Sequence, residues 1–430
     1  MVNLTRIRDA EMRVAMVSMH TSPLDQPGSG DAGGLNVYVA QTAKRLAEAG
    51  AKVDVFTRAT ASAQSDVVPM GDGVQVFNLP AGPYEGLRKE DLPSQVCPFT
   101  AELLRVAANR PEGFYDLVHS HYWLSGQAAW LASQRWNVPM VHTMHTMAKV
   151  KNESLAATDT AEPFSRVVGE EQIVNVADRL VANTADEGSD LMRLYGAAAD
   201  SVSVVHPGVD LQTFHPSSRA AARQRLGLAA NKTIALFVGR IQPLKAPDLL
   251  VRAVADFVHT DPLDRDNLQV VIVGGLSGNG MSRPDSLGKL AADLGVLDLI
   301  KFVPPAPPET LADYYRSADF TVVPSYSESF GLVALESQAS GTPVLATSVG
   351  GLRTAVCDGH SGLLVPNHDV DTWSRAVGHM VQSPQLRQRL AAGAVDHAAK
   401  FSWSATAAGT LAVYRDALTK HRSRNLAVVN

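Results

Sequence analysis

The stretch FTVVPSYSESFGLVALESQASGTPVLATSVGG, residues 320–351, decides how this chain folds. Its apolar run from Phe320 to Val323 predicts a strand entering the polar loop PSYSESFG, which carries Glu328. The loop opens a helix whose first turns, FGLVALE, begin at Phe330 and Gly331 and end on Glu336. PVLATS predicts a second short strand that runs into the turn Gly350–Gly351. A strand ending in a polar loop at a helix N-terminus is where an α/β sheet binds an anion, because free N–H groups and the helix dipole point there. Carboxylates beside such a site suit sugar hydroxyls, which donate to charged acceptors. The combination implies a sugar nucleotide, with diphosphate at the helix start and sugars at Glu328 and Glu336.

The same alternation extends in both directions. VAMVSMH (Val14 to His20) is followed by the glycine-rich loop PGSGDAGG and by Leu35, Val39, Ala43 and Leu46 at helical spacing. KVDVFTR, VQVFNLP, DLVHSHYW, VPMVHTMH, RLVAN and VSVVHPGV continue the first series of strands, and TIALFVGR, LQVVIVGG, LIKFVPP, FTVVPS, PVLATS and GLLVP form a second. Short apolar runs alternating with helices imply parallel sheets covered on both faces. The expectation is an α/β chain of two doubly wound, Rossmann-like domains, residues 12–210 and 211–403, joined by the Pro- and Gly-rich segment His206 to Ser218. A last helix, residues 404–425, finishes the second domain or crosses back to the first. Ligands of open parallel sheets bind beyond the carboxyl ends of the strands, so two such domains place the site in the cleft between them.

The bulk composition narrows the function. A net charge of −5 without a long basic run argues against non-specific nucleic-acid binding. No stretch approaches the roughly 20 apolar residues of a membrane span. The opening residues MVNLTRIRDAE lack the apolar core of a signal peptide and read as a leader ahead of the first strand. Cys97 and Cys357 are the only cysteines, too few for a disulfide framework, which suits a cytoplasmic protein. No Cys/His cluster has zinc-site spacing, and a homodimer is compatible with the sequence.

The polar motifs fall where strands are expected to end. Gly33 and Gly34 let the backbone approach a diphosphate closely, with Asn36 just inside the following helix; a merely flexible loop is the alternative. Arg240 and Lys245 in GRIQPLK stand five residues apart after a strand, where two cations neutralise a leaving diphosphate. Surface ion pairing is the other reading, and strand-end placement disfavours it. His145 in VHTMHT is suited to hydrogen-bonding a sugar hydroxyl, and His142 to packing. Tyr122 in HSHYW is a candidate ligand, with Trp123 in the core. Lys89 and Arg166 are ordinary surface cations unless the acceptor is anionic. If the chain between Glu328 and Glu336 is mostly helical, their carboxylates stand roughly 12 Å apart, beyond a hydrolase pair. One glutamate per sugar ring fits better.

The pattern GRxxxxK followed by PSxxESFGLxxxE resembles the retaining nucleotide-sugar glycosyltransferases of the glycogen-synthase-like family, which share the GT-B fold. The resemblance runs from Val14 onward. The segment HTSPLDQPGSGDAGGLNVYV is similar to the D-inositol-3-phosphate glycosyltransferases of mycothiol biosynthesis, and more loosely to sucrose-phosphate synthases. The resemblance implies transfer of N-acetylglucosamine from UDP-N-acetylglucosamine to 1D-myo-inositol 3-phosphate, with retention and without a required cofactor or divalent metal. It implies that Arg240 and Lys245 bind the diphosphate, Glu336 the ribose and Glu328 the hexose. The backbone near Ala306 holds the uracil, Thr342 sits near the phosphates, Gly34 closes over the donor, and His145 lies at the reacting centre. Lys89, Tyr122, Thr146 and Arg166 form the acceptor's phosphate pocket, with His20 and Asn36 beside it. The chain departs from the family at Ala246 and Pro304, where glycine is usual, and at Ser337, where alanine is usual. A UDP-sugar epimerase, a non-catalytic sugar-nucleotide sensor and a transferase to another phosphorylated acceptor, such as fructose 6-phosphate, are the alternatives.

Overall fold

The computed structural model describes residues 12–28, 32–153, 155, 160–275 and 286–429. The leader reading of residues 1–11, and Ser29, Gly30 and Asp31 of the glycine loop, lie outside them. Eight strands build the first sheet: β1 (Arg13–Val17), β2 (Lys52–Arg58), β3 (Val67–Pro69), β4 (Val74–Leu79), β5 (Leu117–His121), β6 (Met140–Thr143), β7 (Arg179–Ala182) and β8 (Val202–Val204). Six build the second: β9 (Thr233–Val238), β10 (Leu268–Val273), β11 (Ile300–Val303), β12 (Phe320–Val323), β13 (Val344–Thr347) and β14 (Gly362–Val365).

Strand order is β3-β4-β2-β1-β5-β6-β7-β8 in the first sheet and β11-β10-β9-β12-β13-β14 in the second. Every pairing is parallel except the antiparallel edge strand β3 on β4. The order reverses between β1 and β5 and again between β9 and β12. Connections leaving two adjacent strands in opposite directions open a crevice at that point, where α/β sheets take their ligands. The chain beyond β1 and β5 holds His20 and Tyr122; the chain beyond β9 and β12 holds Arg240, Lys245 and Glu328.

Apolar clusters pack on both faces of each sheet, which explains why the strands read as continuous hydrophobic runs. The strands stop earlier than their apolar runs: β1 ends at Val17 and leaves Ser18 to His20 in the site loop. Edge strand β3 was not expected; its sequence VVP is short and its residues are largely exposed.

The last helix, Trp403–Val429, lies against the first helix, Gly34–Glu48, and against β6 and β7. Val413, Tyr414, Ala417 and Leu418 complete the apolar layer containing Val14, Met16 and Val39. Arg179 pairs with Asp416, and Lys420 pairs with Asp200 at 3.0 Å. The chain thus passes between the sheets twice, and the passages touch: Val209 N–H donates to the Phe401 carbonyl at 3.1 Å.

Candidate active site

The second sheet contributes the PSYSESFG loop. Its shape is set by the Gly350–Gly351 turn pressed against it. The Gly351 N–H donates to the Glu328 carbonyl at 2.8 Å, and a Cβ on Gly351 would fall 2.2 Å from the Phe330 Cα. No side chain fits there. Gly331, at φ 98°, delays the helix to Leu332–Ala339, two residues beyond the expected start at Phe330. The Phe330 ring faces the domain linker, 5.9 Å from His206 and 5.7 Å from Phe401. The helix starts without a side-chain cap, and of its first turn only the Ala334 N–H is taken, by the Gly331 carbonyl at 3.0 Å, so the Leu332 and Val333 N–H groups remain for an anion.

Lys245 sits in the turn Pro243–Lys245 and pairs with Glu328, whose Oε2 also accepts from Ser325 Oγ at 3.3 Å. Glu336 is separate: its Oε2 accepts from the Tyr315 hydroxyl at 2.8 Å. Burial raises the Glu336 carboxyl to about 7, partly offset by the Tyr315 bond. The two glutamates therefore have different partners, although much of the chain between them is loop rather than the helix that the 12 Å spacing assumed. Ala246, where the family uses glycine, is at φ 48° and fully buried, a left-handed conformation that explains the usual glycine.

Thr342 is a correction. The helix from Leu332 runs away from the strand ends, so Thr342, which precedes β13, lies at the opposite end of the sheet from Glu328. Its Oγ1 donates to the Tyr315 carbonyl at 2.7 Å, a structural bond inside the core.

The first sheet supplies the facing half. Arg166, 2% exposed, pairs with Glu170 at 2.7 Å and Glu162 at 2.8 Å, donates to Thr146 Oγ1 at 2.9 Å and lies 5.0 Å from the Tyr122 ring centroid. The Tyr122 ring is 4.2 Å from that of His20. Burial first, then the nearby charges of Lys89, Arg166 and Arg240, holds His20 well below the usual histidine range. Cations from both domains, Lys89 and Arg166 from one and Arg240 from the other, thus favour a neutral imidazole there. Burial likewise lowers His145 to about 3, which makes it a neutral hydrogen-bonding group rather than an acid.

One further expectation changes. Asn36 was placed with the acceptor, but it is 1% exposed and its amide is committed: Oδ1 accepts from Gly33 N–H at 2.9 Å while Nδ2 donates to Thr21 and Ser22. It ties the glycine loop to the loop after β1. The His145 ring was expected to meet a sugar hydroxyl. Its Nε2 bonds Nδ1 of His121 at 2.9 Å and the ring packs edge-on to Tyr38, which leaves Nδ1 for that contact, while the His145 carbonyl accepts from Ser329 Oγ of the other domain.

The domains meet at the site. A Cβ on Gly33 would lie 3.8 Å from Arg240 Nε, and one on Gly34 3.5 Å from Leu332. Gln26 Nε2 donates to the Ala306 carbonyl at 3.2 Å, and Arg353 pairs with Asp186 at 2.8 Å. Gln26, His121, Tyr315 and Ser329 escaped the sequence reading. Their partners are distant in sequence, so although His121 stands in HSHYW and Ser329 in PSYSESFG, no local pattern gave them a role. Glu170 and Glu162 were within reach of it, since each stands four residues from Arg166. Among the described residues no group of acidic, histidine or cysteine side chains has the arrangement of a metal site, and no helix is long and apolar enough to cross a membrane.

Residues 33–208 match the family model described as glycosyl transferase 4-like domain, and residues 218–396 the model described as glycosyl transferases group 1. The D-inositol 3-phosphate glycosyltransferase of Streptosporangium roseum is 59% identical over 406 residues, covering 94% of this chain and 93% of that protein. That of Nocardia farcinica is 57% identical over 413 residues, covering 96% and 91%. The solved structure of sucrose-phosphate synthase from Thermosynechococcus elongatus superposes with a TM-score of 0.87 at 32% identity, covering 95% of this chain and 100% of that one. Anabaena Alr3699/HepE in complex with UDP and glucose, at 19% identity, shares the fold with a TM-score of 0.70, covering 93% and 99%. The two motif-bearing switch points that face one another are thus those of a GT-B glycosyltransferase, and this chain belongs to the D-inositol 3-phosphate glycosyltransferase family.

Proposed function

We propose that this protein transfers N-acetylglucosamine from UDP-N-acetylglucosamine to 1D-myo-inositol 3-phosphate with retention at the anomeric carbon, the first step of mycothiol biosynthesis. One observation carries the reading: Arg166 holds Thr146 and lies over the Tyr122 ring, which packs beside His20, and the charges of Lys89 and of Arg240 from the donor half reach that imidazole. Several donors converging there suit a phosphate dianion on the acceptor. The relatives' shared name supports inositol 3-phosphate as that acceptor.

In this reading the uracil lies by the Pro304–Ala306 backbone, the ribose hydroxyls donate to Glu336, and the hexose meets Glu328. The diphosphate lies between Arg240, Lys245 and the N–H groups at Leu332. The bond from the anomeric carbon to the β-phosphate oxygen breaks, and its electron pair leaves with UDP. The acceptor hydroxyl forms the new bond on the same face and gives its proton to the departing phosphate oxygen. Arg240 and Lys245 stabilise the charge that develops there, a task a divalent metal performs in other enzymes, so the reaction is expected without one. Ser329, Gln26 and Arg353 close the domains and exclude water, which suppresses donor hydrolysis.

The test is UDP release from UDP-N-acetylglucosamine with and without 1D-myo-inositol 3-phosphate. Release that requires the inositol phosphate supports the assignment; release with fructose 6-phosphate instead would move the acceptor toward that of the sucrose-phosphate synthase relative. A new sugar epimer without UDP would replace the transferase with an isomerase.

A further inference from the structure

We infer that His121 is the positioning residue for His145: its Nδ1–H donates to the His145 Nε2 and anchors the ring whose backbone carbonyl stands at the junction of the two domains. The inference rests on the reading of His145 as part of the reacting centre.

The geometry leads there in steps. β5 ends at His121 and pairs with β6 in the register His121↔Thr143, so the loop carrying His145 leaves beside it. Nδ1 of His121 and Nε2 of His145 are 2.9 Å apart. Burial holds both rings well below the usual histidine range, so each is neutral and carries a single N–H. One nitrogen of the pair donates, and the surroundings decide which. His121 Nε2 is buried with no hydrogen-bond partner among the described residues. The neighbouring His119, 4.2 Å away ring to ring, cannot serve it, because Nδ1 bonds the Tyr414 hydroxyl at 2.7 Å and Nε2 bonds Thr143 Oγ1 at 2.9 Å. Were His145 the donor, the His121 proton would sit on that orphaned Nε2. An unpaired buried N–H is rarer in proteins than an unpaired acceptor. His121 therefore carries its proton on Nδ1, and His145 carries its own on Nδ1.

The bond matters because His145 is at φ 62°, a left-handed conformation that persists only where its surroundings enforce it. Its ring is fixed by His121 on one side and by the edge of Tyr38, 4.8 Å between centroids, on another. With the ring held, the carbonyl points across the junction to accept from Ser329.

His121→Asn places an amide N–H where Nδ1–H stood, whereas His121→Gln mimics Nε2 and His121→Phe supplies no donor. The expected result with UDP-N-acetylglucosamine and 1D-myo-inositol 3-phosphate is kcat near wild type for Asn. For Gln and Phe, kcat falls by about ten- to hundred-fold at unchanged KM for the donor. Wild-type kcat in Phe, or Gln performing as well as Asn, would overturn the inference. A second measurement needs no substrate: ¹⁵N NMR of the wild-type histidines, with His145 assigned by its loss in His145→Gln. Protonated Nδ1 and unprotonated Nε2 on His145 support the inference, and the reverse tautomer overturns it. If the wild type releases no UDP, the proposed reaction fails while the nitrogen spectrum still decides the role of His121.

Discussion

Each half of the cleft holds a cation paired with glutamate, and the two pairs differ in burial. On the acceptor side Arg166 and Glu170 have side chains 2% and 0% exposed, and Glu162 and Thr146 hold the guanidinium from two further sides. On the donor side Lys245 and Glu328 are 22% and 18% exposed and meet in one contact at the end of a short turn. A buried pair cannot lose a partner without stranding a charge, so Arg166 is a fixed platform. A partly hydrated pair gives up little when it separates, so Lys245 and Glu328 are free to turn toward diphosphate and sugar. A cation–glutamate pair thus serves rigidity in one domain and exchange with substrate in the other.

That contrast can be broken from either side. Arg166→Ala should produce the largest change in stability, a loss of about 3–5 kcal/mol in denaturant unfolding, because Glu170 is left buried and uncompensated. A melt like the wild type would show that the acceptor pair is as dispensable as the donor pair. Lys245→Ala should lose about 10²–10³-fold in turnover while unfolding within about 1 kcal/mol of wild type. Near-normal UDP release would remove this lysine from the reaction.

A smaller effect sharpens the donor half. With Glu336 raised to about 7, the free protein holds it protonated below that pH, and a ribose diol donating to it favours the carboxylate. Uridine should therefore bind about tenfold more tightly at pH 8 than at pH 6, the advantage fading as pH falls through 7. Glu336→Gln should flatten the dependence in calorimetry, and an unchanged slope would assign the titration elsewhere. The smallest change is expected from Ala246→Gly. Relief of the left-handed strain and the added freedom of the unfolded chain are each about 1 kcal/mol and opposed, so thermal unfolding should barely move and turnover should stay at wild type. A marked loss of activity would show that the methyl group itself shapes the Lys245 turn.

The sequence disclosed most where the structure is local. Strand Phe320–Val323, its loop and the Glu328–Glu336 motif follow one another in the chain, and apolar runs in alternation were enough to foresee parallel sheets on both sides of a linker. It disclosed least where the answer depends on direction or distance. Thr342 follows Glu336 closely in sequence, yet a helix turned away from the strand ends carries it to the far edge of the sheet. Asn36 has the residue type of a ligand, but its place in the first turn of a helix commits it to Gly33, Thr21 and Ser22. The bond that holds the His145 imidazole stayed hidden because its partner His121 lies on a neighbouring strand, visible only once β5 and β6 are side by side. Ser329 meets His145 across 184 residues, a pairing no local pattern announces.

The return of the final helix to the first sheet has a consequence for how the protein is made. The first domain's strands are synthesised early, but Val413, Tyr414, Ala417 and Leu418 belong to its core. A ribosome releasing the chain from its N-terminus therefore exposes a sheet with one face incompletely covered until the last residues emerge. Completion of the acceptor half must wait for the donor half to be translated, so a chain cut short before Trp403 would lack part of an apolar layer of its first domain even though that domain's own strands were all present.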